Sequence, residues 1–202
     1  VYKRQAPDAV GNPNLRPEQA KEYEIAVEQP FSGGSAFRAA WFHRKIKDLI
    51  NWNFMVFPMV PENIGKADIK GAEAEADLRL SSSSRFNVNY TYLKPIDEVT
   101  GTMIYSTIMP KNQLKGTLSL SVDKDVYLTM SGRAVENYVQ PGSPEWKYSV
   151  YDAKIAQKFG RSGGVNAELY FAMTNIFDRK YENIQGYPMP PREIRGGVTV
   201  QY

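Results

Sequence analysis

The 202-residue sequence contains no cysteine and a single histidine, His43. The lack of cysteine excludes disulfide bonds, thiolate metal ligands and a cysteine nucleophile, and one histidine excludes a multi-histidine metal site. No run of about 18 apolar residues is present, which excludes a transmembrane helix. The net charge of +3 is small and scattered, so nucleic-acid binding is not expected. The mean hydropathy of −0.47 is typical of soluble proteins, but transmembrane β-barrels share it because their strands alternate polar and apolar residues.

The dominant periodicity of the sequence is two residues, which is the period of a β-strand. About nine segments show it, and most are near the ~9–11 residues that a tilted strand needs to cross a bilayer. The predicted strands are Gln19–Gln29, Ala36–Ile50, Asn63–Leu80, Arg85–Leu93, Asn112–Val122, Val126–Glu136, Tyr148–Phe159, Val165–Asn175 and Arg192–Tyr202.

The segment Ala72–Leu80 distinguishes a strand from a helix. Its alanines and leucines alternate strictly with Glu73, Glu75, Asp77 and Arg79. On a helix these residues would scatter around the axis, whereas on a strand they separate onto two faces. The sequence therefore predicts an all-β fold, with no convincing helix.

The connections between the predicted strands alternate in length. The short ones are rich in Gly, Ser, Asp or Lys, as tight turns are. Short and long connections alternate in outer-membrane barrels, where tight turns face the periplasm and long loops face outward. A soluble β-sheet protein, the alternative, has no reason to keep its long loops at one end. The short connections span 30–35, 81–84, 123–125 and 160–164, and the long ones span 51–62, 94–111, 137–147 and 176–191.

The two faces of the predicted strands differ in polarity. One face is apolar, and the other carries charges that cost several kcal/mol each near the bilayer midplane, so the charged face must line water or a polar plug. The carboxylates spaced two apart are expected to line this polar side rather than to form a catalytic acid–base pair. The apolar set includes Tyr23, Ile25, Val27, Leu78, Leu80, Phe86, Val88, Leu118 and Leu120; the charged set includes Glu22, Glu24, Glu73, Glu75, Asp77, Arg79, Arg133 and Glu168.

Four sequence blocks point to a family. They are GNPNLRPE at 11–18 followed by Tyr23-Glu24, KDLI at 47–50 with NIGKA at 63–67 and GAE at 71–73, NIFDRKY at 175–181, and GYPMPPR at 186–192. Each block alone is weak, but their order and spacing resemble those of TonB-dependent outer-membrane receptors, with Pro191 where that family usually has glycine. Their glycines and prolines are expected to shape the backbone rather than to touch a solute.

The resemblance implies a complete barrel of about 22 strands with an N-terminal plug. Residues 12–202 would be the C-terminal portion of that barrel, and residues 1–11 a frayed or foreign start, in which Val1–Gln5 fits no later pattern. An all-antiparallel barrel closes only with an even number of strands. Nine strands would therefore leave open edges, and open edges are not tolerated in lipid. We therefore expect further strands, the plug and the TonB-contacting box to lie upstream.

The same resemblance implies a function. The protein would lie in the outer membrane of a Gram-negative bacterium and import a scarce large solute, a ferric siderophore or cobalamin, by TonB-coupled transport; the last block favours the cobalamin and catecholate-siderophore branches. The expected partners are outer-membrane lipid, a TonB-type energy-coupling protein acting through the plug region, the barrel assembly machinery and the cargo. No cofactor and no enzymatic activity are expected. Two alternatives stay open: a passive porin or structural barrel, and an outer-membrane enzyme, for which the sequence supplies no assembled nucleophile and base.

Two sets of residues are functional candidates. Aromatic residues outside the strand period, in the predicted external loops, are suited to clamp a large ring system at little entropic cost, although they could equally pack the loops together. The last strand has apolar residues on one face and a terminal aromatic, which resembles the signature that the barrel assembly machinery reads; a lipid-facing strand would show the same pattern. The loop candidates are Trp52, Phe54, Phe57, Tyr105, Tyr138 and Trp146, and the assembly candidates are Ile194, Val198, Val200 and Tyr202.

Overall fold

A computed structural model describes residues 9–53, 56–104, 110–137, 147–160, 166–184 and 186–201. These residues form eleven β-strands and no helix, as the two-residue period predicts. Nine strands belong to one sheet, in the order β1-β2-β3-β4-β5-β6-β7-β8-β11. The strands are β1 (Gln19–Phe31), β2 (Ser35–Asn53), β3 (Val60–Arg79), β4 (Ser84–Asp97), β5 (Pro110–Asp123), β6 (Val126–Asn137), β7 (Lys147–Phe159), β8 (Asn166–Thr174), β9 (Glu182–Ile184), β10 (Tyr187–Pro188) and β11 (Glu193–Gln201).

The nine-stranded sheet is the predicted antiparallel meander. Each strand from β4 to β8 pairs antiparallel with the next, and β8 pairs with β11. Because β1 and β11 stand at opposite ends of the strand order, the sheet formed by the described strands has two edges and is not closed. The short strands β9 and β10 pair only with each other, inside the connection between β8 and β11, and the sequence period did not predict them. A search of the described residues finds no helix capable of crossing a membrane.

Several strands are longer than the sequence predicted. Strands β2 and β3 are 19 and 20 residues long and take up half of the connection predicted at 51–62. Strand β4 runs on to Asp97, into the connection predicted at 94–111. Asparagine and proline are depleted in strands, so their presence in these segments concealed the continuing pattern. Polar cross-strand contacts support the extension, as Asn53 Nδ2 donates to Glu62 Oε2 at 3.3 Å.

The strand register gives β4–β8 and β11 two faces of opposite character, since directly opposed residues lie on the same face of a sheet. We call the face that carries Leu118 the apolar face and the face that carries Thr117 the polar face. A row on the apolar face runs Phe86, Leu118, Met130, Ala153, Met173 and Ile194; the adjacent row on the polar face runs Asn87, Thr117, Ser131 and Asp152.

The apolar face is not covered by a core. The side chains of Met130, Ile155, Phe171, Ile194 and Val198 are 45–65 % exposed. Of the nine residues that the sequence analysis assigned to the apolar face, four are exposed and five are half-buried, so none lies in a dry interior. The exposed ones are Tyr23, Ile25, Val27 and Leu80, and the half-buried ones are Leu78, Phe86, Val88, Leu118 and Leu120.

The acids of β3 lie on the polar face, as predicted. Glu75 Oε1 accepts a hydrogen bond from Asn87 Nδ2 at 3.2 Å, and Asp77 Oδ1 lies 3.3 Å from Arg85 Nε. The register places Asn87 opposite Thr117, on the polar face.

The chain divides into two compact units. The first comprises Val1–Ile25, Trp41–Gly71 and Lys94–Ile104, and the second comprises Ala26–Ala40, Ala72–Leu93 and Tyr105–Tyr202. The buried residues of the first unit include Leu49, Ala67, Pro95 and Ile104. In the second unit the buried cluster is Val135, Tyr148 and Val150, with Tyr181 packed against it.

Candidate functional site

On the polar face of the second unit, a guanidinium group lies beside a pair of neighbouring tyrosine rings. Arg133 Cζ is 5.6 Å from the centre of the Tyr148 ring and 5.9 Å from that of Tyr181, within the range of cation–π attraction. The centres of the two tyrosine rings are 4.8 Å apart. Tyr148 Oη donates to Asn183 Oδ1 at 2.7 Å, and Arg133 Nη2 donates to the same oxygen at 3.4 Å. Together with Met189, whose sulfur accepts from Asn183 Nδ2, these residues form what we call the Arg133 cluster.

The cluster joins two strands to the long connection that follows β8. Arg133 stands on β6 opposite Val150 of β7, whereas Tyr181, Asn183 and Met189 belong to the connection. The connection therefore folds back over the polar face. Its backbone is held by a hydrogen bond from Met189 N to Tyr181 O, at 3.0 Å.

Asn175 fixes both ends of this connection. It is 3 % exposed and has a positive φ of 50°, which asparagine tolerates better than most residues. Its side chain accepts from Arg179 N at 2.8 Å and donates to the carbonyl groups of Arg179 and Pro190, while its backbone N–H donates to Asp152 Oδ1. Asn175 therefore satisfies the backbone where strand pairing stops.

The chemistry available here is recognition rather than catalysis. The Arg133 cluster borders a cavity of about 380 Å³ that Lys115 and Asp152 also line. Flat aromatic rings and a guanidinium group can bind a planar or anionic group through stacking and charge-assisted hydrogen bonds. Across the described ranges, no group of three or more His, Cys, Asp or Glu residues could hold a metal ion.

In the first unit, two of the sequence blocks converge. Arg16 Nη2 lies 2.5 Å from Asp48 Oδ1, and Asn63 binds the Arg16 backbone on both sides, accepting from its N–H at 2.8 Å and donating to its carbonyl at 2.9 Å. Asn63 also donates to Asp48 O at 2.7 Å, and Glu18 accepts from Ile50 N. Asp48 has a φ of 56°, which is tolerated by aspartate. The hydrogen bond and charge of Asp48 raise the pKa of the Arg16 guanidinium above its ordinary value.

This convergence gives the blocks a structural role. It ties residues 16–18 to the ends of β2 and β3, and Val10 N adds a bond to Met59 O just before β3. The residues concerned are 15 to 49 positions apart in sequence, so the resemblance to a family indicated their importance but not their contact.

The predicted loop aromatics fall into two groups. Trp52 lies near the end of β2 and is 42 % exposed, and Phe57 lies in the connection that follows and is 74 % exposed. Phe54, Tyr105, Tyr138 and Trp146 lie outside the described residues. The structure thus gives Trp52 and Phe57 the exposure that ligand contact needs, without testing such contact.

The predicted assembly residues share one face of β11. Ile194 lies opposite Met173 and Val198 opposite Leu169, which puts both on the apolar face, and Val200 follows in the same alternation. Tyr202 lies outside the described residues.

The sequence analysis did not single out the Arg133 cluster as a site. Only the alternation that puts Arg133 on the polar face signalled it, because its partners come from a distant connection.

The arrangement of strands and motifs matches a known family. The model of the TonB dependent receptor-like β-barrel family matches residues 4–176. The chain belongs to this family. The first two of the four sequence blocks, at 11–24 and 47–73, lie within the matched residues.

Individual TonB-dependent receptors and their relatives are similar over nearly the whole chain. The heme/hemopexin utilization protein C of Haemophilus influenzae (strain 86-028NP) is 30% identical over 193 residues, which covers 86% of this chain and 27% of that protein. The ferripyoverdine receptor of the outer membrane of Pseudomonas aeruginosa superposes with a TM-score of 0.68 at 19% identity, covering 93% of this chain and 27% of that one. A copper transporter superposes with a TM-score of 0.73 at 17% identity, covering 95% and 33%.

These relatives establish the fold of the chain as part of a TonB-dependent receptor barrel. The chain spans about a quarter of the length of the curated relative that it matches. At identities below 20%, the solved structures support the architecture alone. The three relatives are named for different cargoes, so the likeness does not identify the cargo of this protein.

Proposed function

We propose that this chain is part of the wall of an outer-membrane receptor that imports a scarce, large solute into a Gram-negative bacterium. The observation that carries the proposal is the two-faced sheet of β4–β8 and β11, whose apolar side chains stay exposed on one face while charged and hydroxyl side chains occupy the other. Burying such apolar surface is favourable by roughly 25 cal/mol per Å², and lipid is the environment that can cover it in a barrel of this family. The polar face then lines the interior.

The polar face suits a path filled by water and a plug. Lys154 pairs with Glu168 at 3.2 Å, so part of the charge of the polar face is balanced within the wall. Other groups, such as Lys115 beside the Arg133 cluster, border open space. In the full-length protein we expect a plug upstream of this chain to contact these groups, and a TonB-type protein to displace the plug. The barrel assembly machinery would insert the barrel through its last strand, which carries Ile194, Val198, Val200 and Tyr202.

We infer that the cargo is an iron compound, either a ferric siderophore or haem. The curated relative that is 30% identical supports haem by its name, a heme/hemopexin utilization protein. The ferric siderophore is kept because the sequence blocks resemble those of siderophore receptors, since the ferripyoverdine receptor, at 19% identity, shares the fold only. Cobalamin, which the final sequence block favours, has no support from these names and is the competing outcome of the test. The copper transporter, at 17% identity, shares the fold only.

Growth on defined iron sources tests both the cargo and its energy coupling. A strain lacking the full-length gene is starved of iron and supplied in turn with haem, with single ferric siderophores, and, under cobalamin limitation, with cobalamin. We expect growth to be lost on one iron source and restored by the gene, but not in cells that lack TonB. Growth that persists without TonB would support a passive porin, and a loss confined to cobalamin would overturn the iron proposal.

The exposed loop aromatics are proposed to contact the cargo. Trp52 and Phe57 are the described members of this set, and Trp146 belongs to the same proposed external surface. Aromatic side chains in loops can grip a large ring system with little loss of entropy. Trp52→Ala and Trp146→Ala in the full-length receptor should weaken cargo binding. Trp41→Ala should not, because Trp41 lies in the interior of β2 whereas Trp52 lies at its end, and Trp41 is similarly exposed at 45 %. Equal affinity in all three variants would contradict this assignment.

A further inference from the structure

The short turn between β3 and β4 borders a cavity of unusual composition. The cavity has a volume of about 570 Å³ and is lined by Arg79, Arg85 and all four serines of the turn, Ser81 to Ser84. Strands β5 and β6 add further hydroxyl groups, including Ser119 and Ser121. No described acidic residue lines it. Its polar surface therefore consists of guanidinium and hydroxyl groups.

The turn brings its two arginines onto neighbouring strands. Leu80 N donates to Ser84 O at 3.0 Å and closes the turn, so Arg79 and Arg85 flank it on β3 and β4. Like charges across adjacent strands destabilise a sheet unless a counter-charge lies between them. Asp77 balances one of the two charges, because its Oδ1 lies 3.3 Å from Arg85 Nε in an ion pair. Among the described residues, no acidic side chain pairs with Arg79.

Among the described residues, the arginine donors of the cavity are not used in other hydrogen bonds. Three of its serine hydroxyl groups are held in place by hydrogen bonds to one another, since Ser81 Oγ lies 3.2 Å from Ser83 Oγ and 2.6 Å from Ser84 Oγ. Across the described residues, neither the Arg79 nor the Arg85 guanidinium group donates a hydrogen bond. The Arg85 side chain is 58% exposed. The serine turn is ordered, because Ser81 Oγ accepts from Ser83 N at 3.1 Å and Ser121 N donates to Ser83 O at 2.7 Å. A rigid turn keeps the hydroxyl groups near both arginines.

We propose that this cavity, which we call the Arg79–Arg85 site, binds a phosphate group. A phosphate offers three or four oxygen atoms to donors that arrive from several directions, and guanidinium groups bind it through paired hydrogen bonds. A carboxylate has two oxygen atoms and would leave much of this hydroxyl-rich lining unused. The site is separate from the Arg133 cluster and from the loop aromatics, and its ligand is not the transported cargo. The phosphate comes either from solution or from a phospholipid headgroup.

Binding of inorganic phosphate to the purified full-length receptor tests the proposal. The receptor is kept in a phosphate-free maltoside detergent at low ionic strength, and binding is followed by 31P NMR. We expect saturable binding that weakens as NaCl is added, because salt screens exposed charges. Arg79→Gln and Arg85→Gln should each weaken binding by about tenfold or more, as expected for loss of a charge-assisted contact. The matched control is Lys124→Gln, which removes the same charge from the next short turn, outside the cavity, and should change the affinity less than about twofold.

A second variant and a second experiment in lipid nanodiscs keep the result interpretable. Ser83→Ala removes one hydroxyl group without changing charge, and it should weaken binding even if an arginine variant fails to fold. In nanodiscs, loss of the inorganic phosphate signal when phosphatidylglycerol is included identifies a lipid headgroup as the ligand, and persistence identifies soluble phosphate; either result supports the site. Absence of saturable binding, or equal loss in Lys124→Gln and Arg79→Gln, would overturn the proposal. Neither result would bear on cargo import, which is measured separately by growth.

Discussion

Gly71 leaves room for an aromatic ring, and filling that room should destabilise the first unit. A Cβ atom on Gly71 would lie 2.7 and 2.8 Å from the two Cε atoms of Phe42, and closer still to Cζ, where ordinary van der Waals contact is 3.4–4 Å. The Phe42 ring would have to move by about 0.7 Å to bring its Cε1 atom to an ordinary van der Waals distance from the new Cβ atom. Overpacking of this kind costs about 1–3 kcal/mol. We therefore expect Gly71→Ala to lower the free energy of unfolding by that amount.

A double-mutant cycle separates the ring clash from other effects of the substitution. Phe42→Ala alone should cost about 1 kcal/mol, because the ring is half-buried. In the Phe42→Ala background, Gly71→Ala should be neutral or stabilising, since alanine restricts the unfolded chain more than glycine does. The control is Gly196→Ala, whose Cβ would meet only Tyr170 O at 3.5 Å and should cost little. The assay is guanidinium unfolding of the bilayer-embedded receptor. Additive effects in the cycle, or equal costs for Gly71→Ala and Gly196→Ala, would refute the reasoning.

Three further predictions concern the faces, the motif contacts and the edges of the sheet. Met130→Arg, on the apolar face, should destabilise the bilayer-embedded receptor by about 2–4 kcal/mol, while Ser131→Arg on the polar face should cost much less; urea unfolding in vesicles compares them, and equal costs would contradict the facing. Asn63→Ala loses three hydrogen bonds, each worth about 0.5–1.5 kcal/mol. It should therefore speed amide exchange near residue 16 more than Arg16→Gln, which breaks a solvent-exposed ion pair. The isolated 202-residue chain has two edge strands and should form oligomers or aggregates in detergent; a monodisperse monomer by light scattering, with a heat-resistant β signal, would mean that the nine strands close by themselves.

Alternation of residue types predicted most of the fold. The period of two placed nine strands in sequence, and the short turns made their neighbours in sequence neighbours in the sheet. The charged residues of β3 could be assigned to one face together, because residues two apart on a strand lie on the same face. A shift of the strand by one residue would move all of them to the other face. Strand ends were less predictable, because Asn51, Asn53 and Pro61 resemble loop residues although they lie in strands.

Contacts between distant segments were not predictable from the sequence. The sequence indicated that Gly71 permits close approach, but naming Phe42 as its partner requires the register of β2 and β3. The same holds for Arg133, whose rings come from β7 and from the connection after β8. The ion pair of Arg16 with Asp48 depends on a positive φ at Asp48, and residue pattern alone does not specify this backbone conformation.

The central claim is that the apolar face of this sheet lies against lipid and the polar face does not. The 202 residues contain no cysteine, so single cysteines introduced at Leu118 and Thr117 can carry spin labels without competition from this part of the chain. The measurement is collision of each label with oxygen, which concentrates in lipid, and with a water-soluble nickel chelate, in the bilayer-embedded receptor. We expect the label at 118 to collide mainly with oxygen and the label at 117 mainly with the chelate. The reverse order, or equal access of the chelate to both labels, would contradict the account.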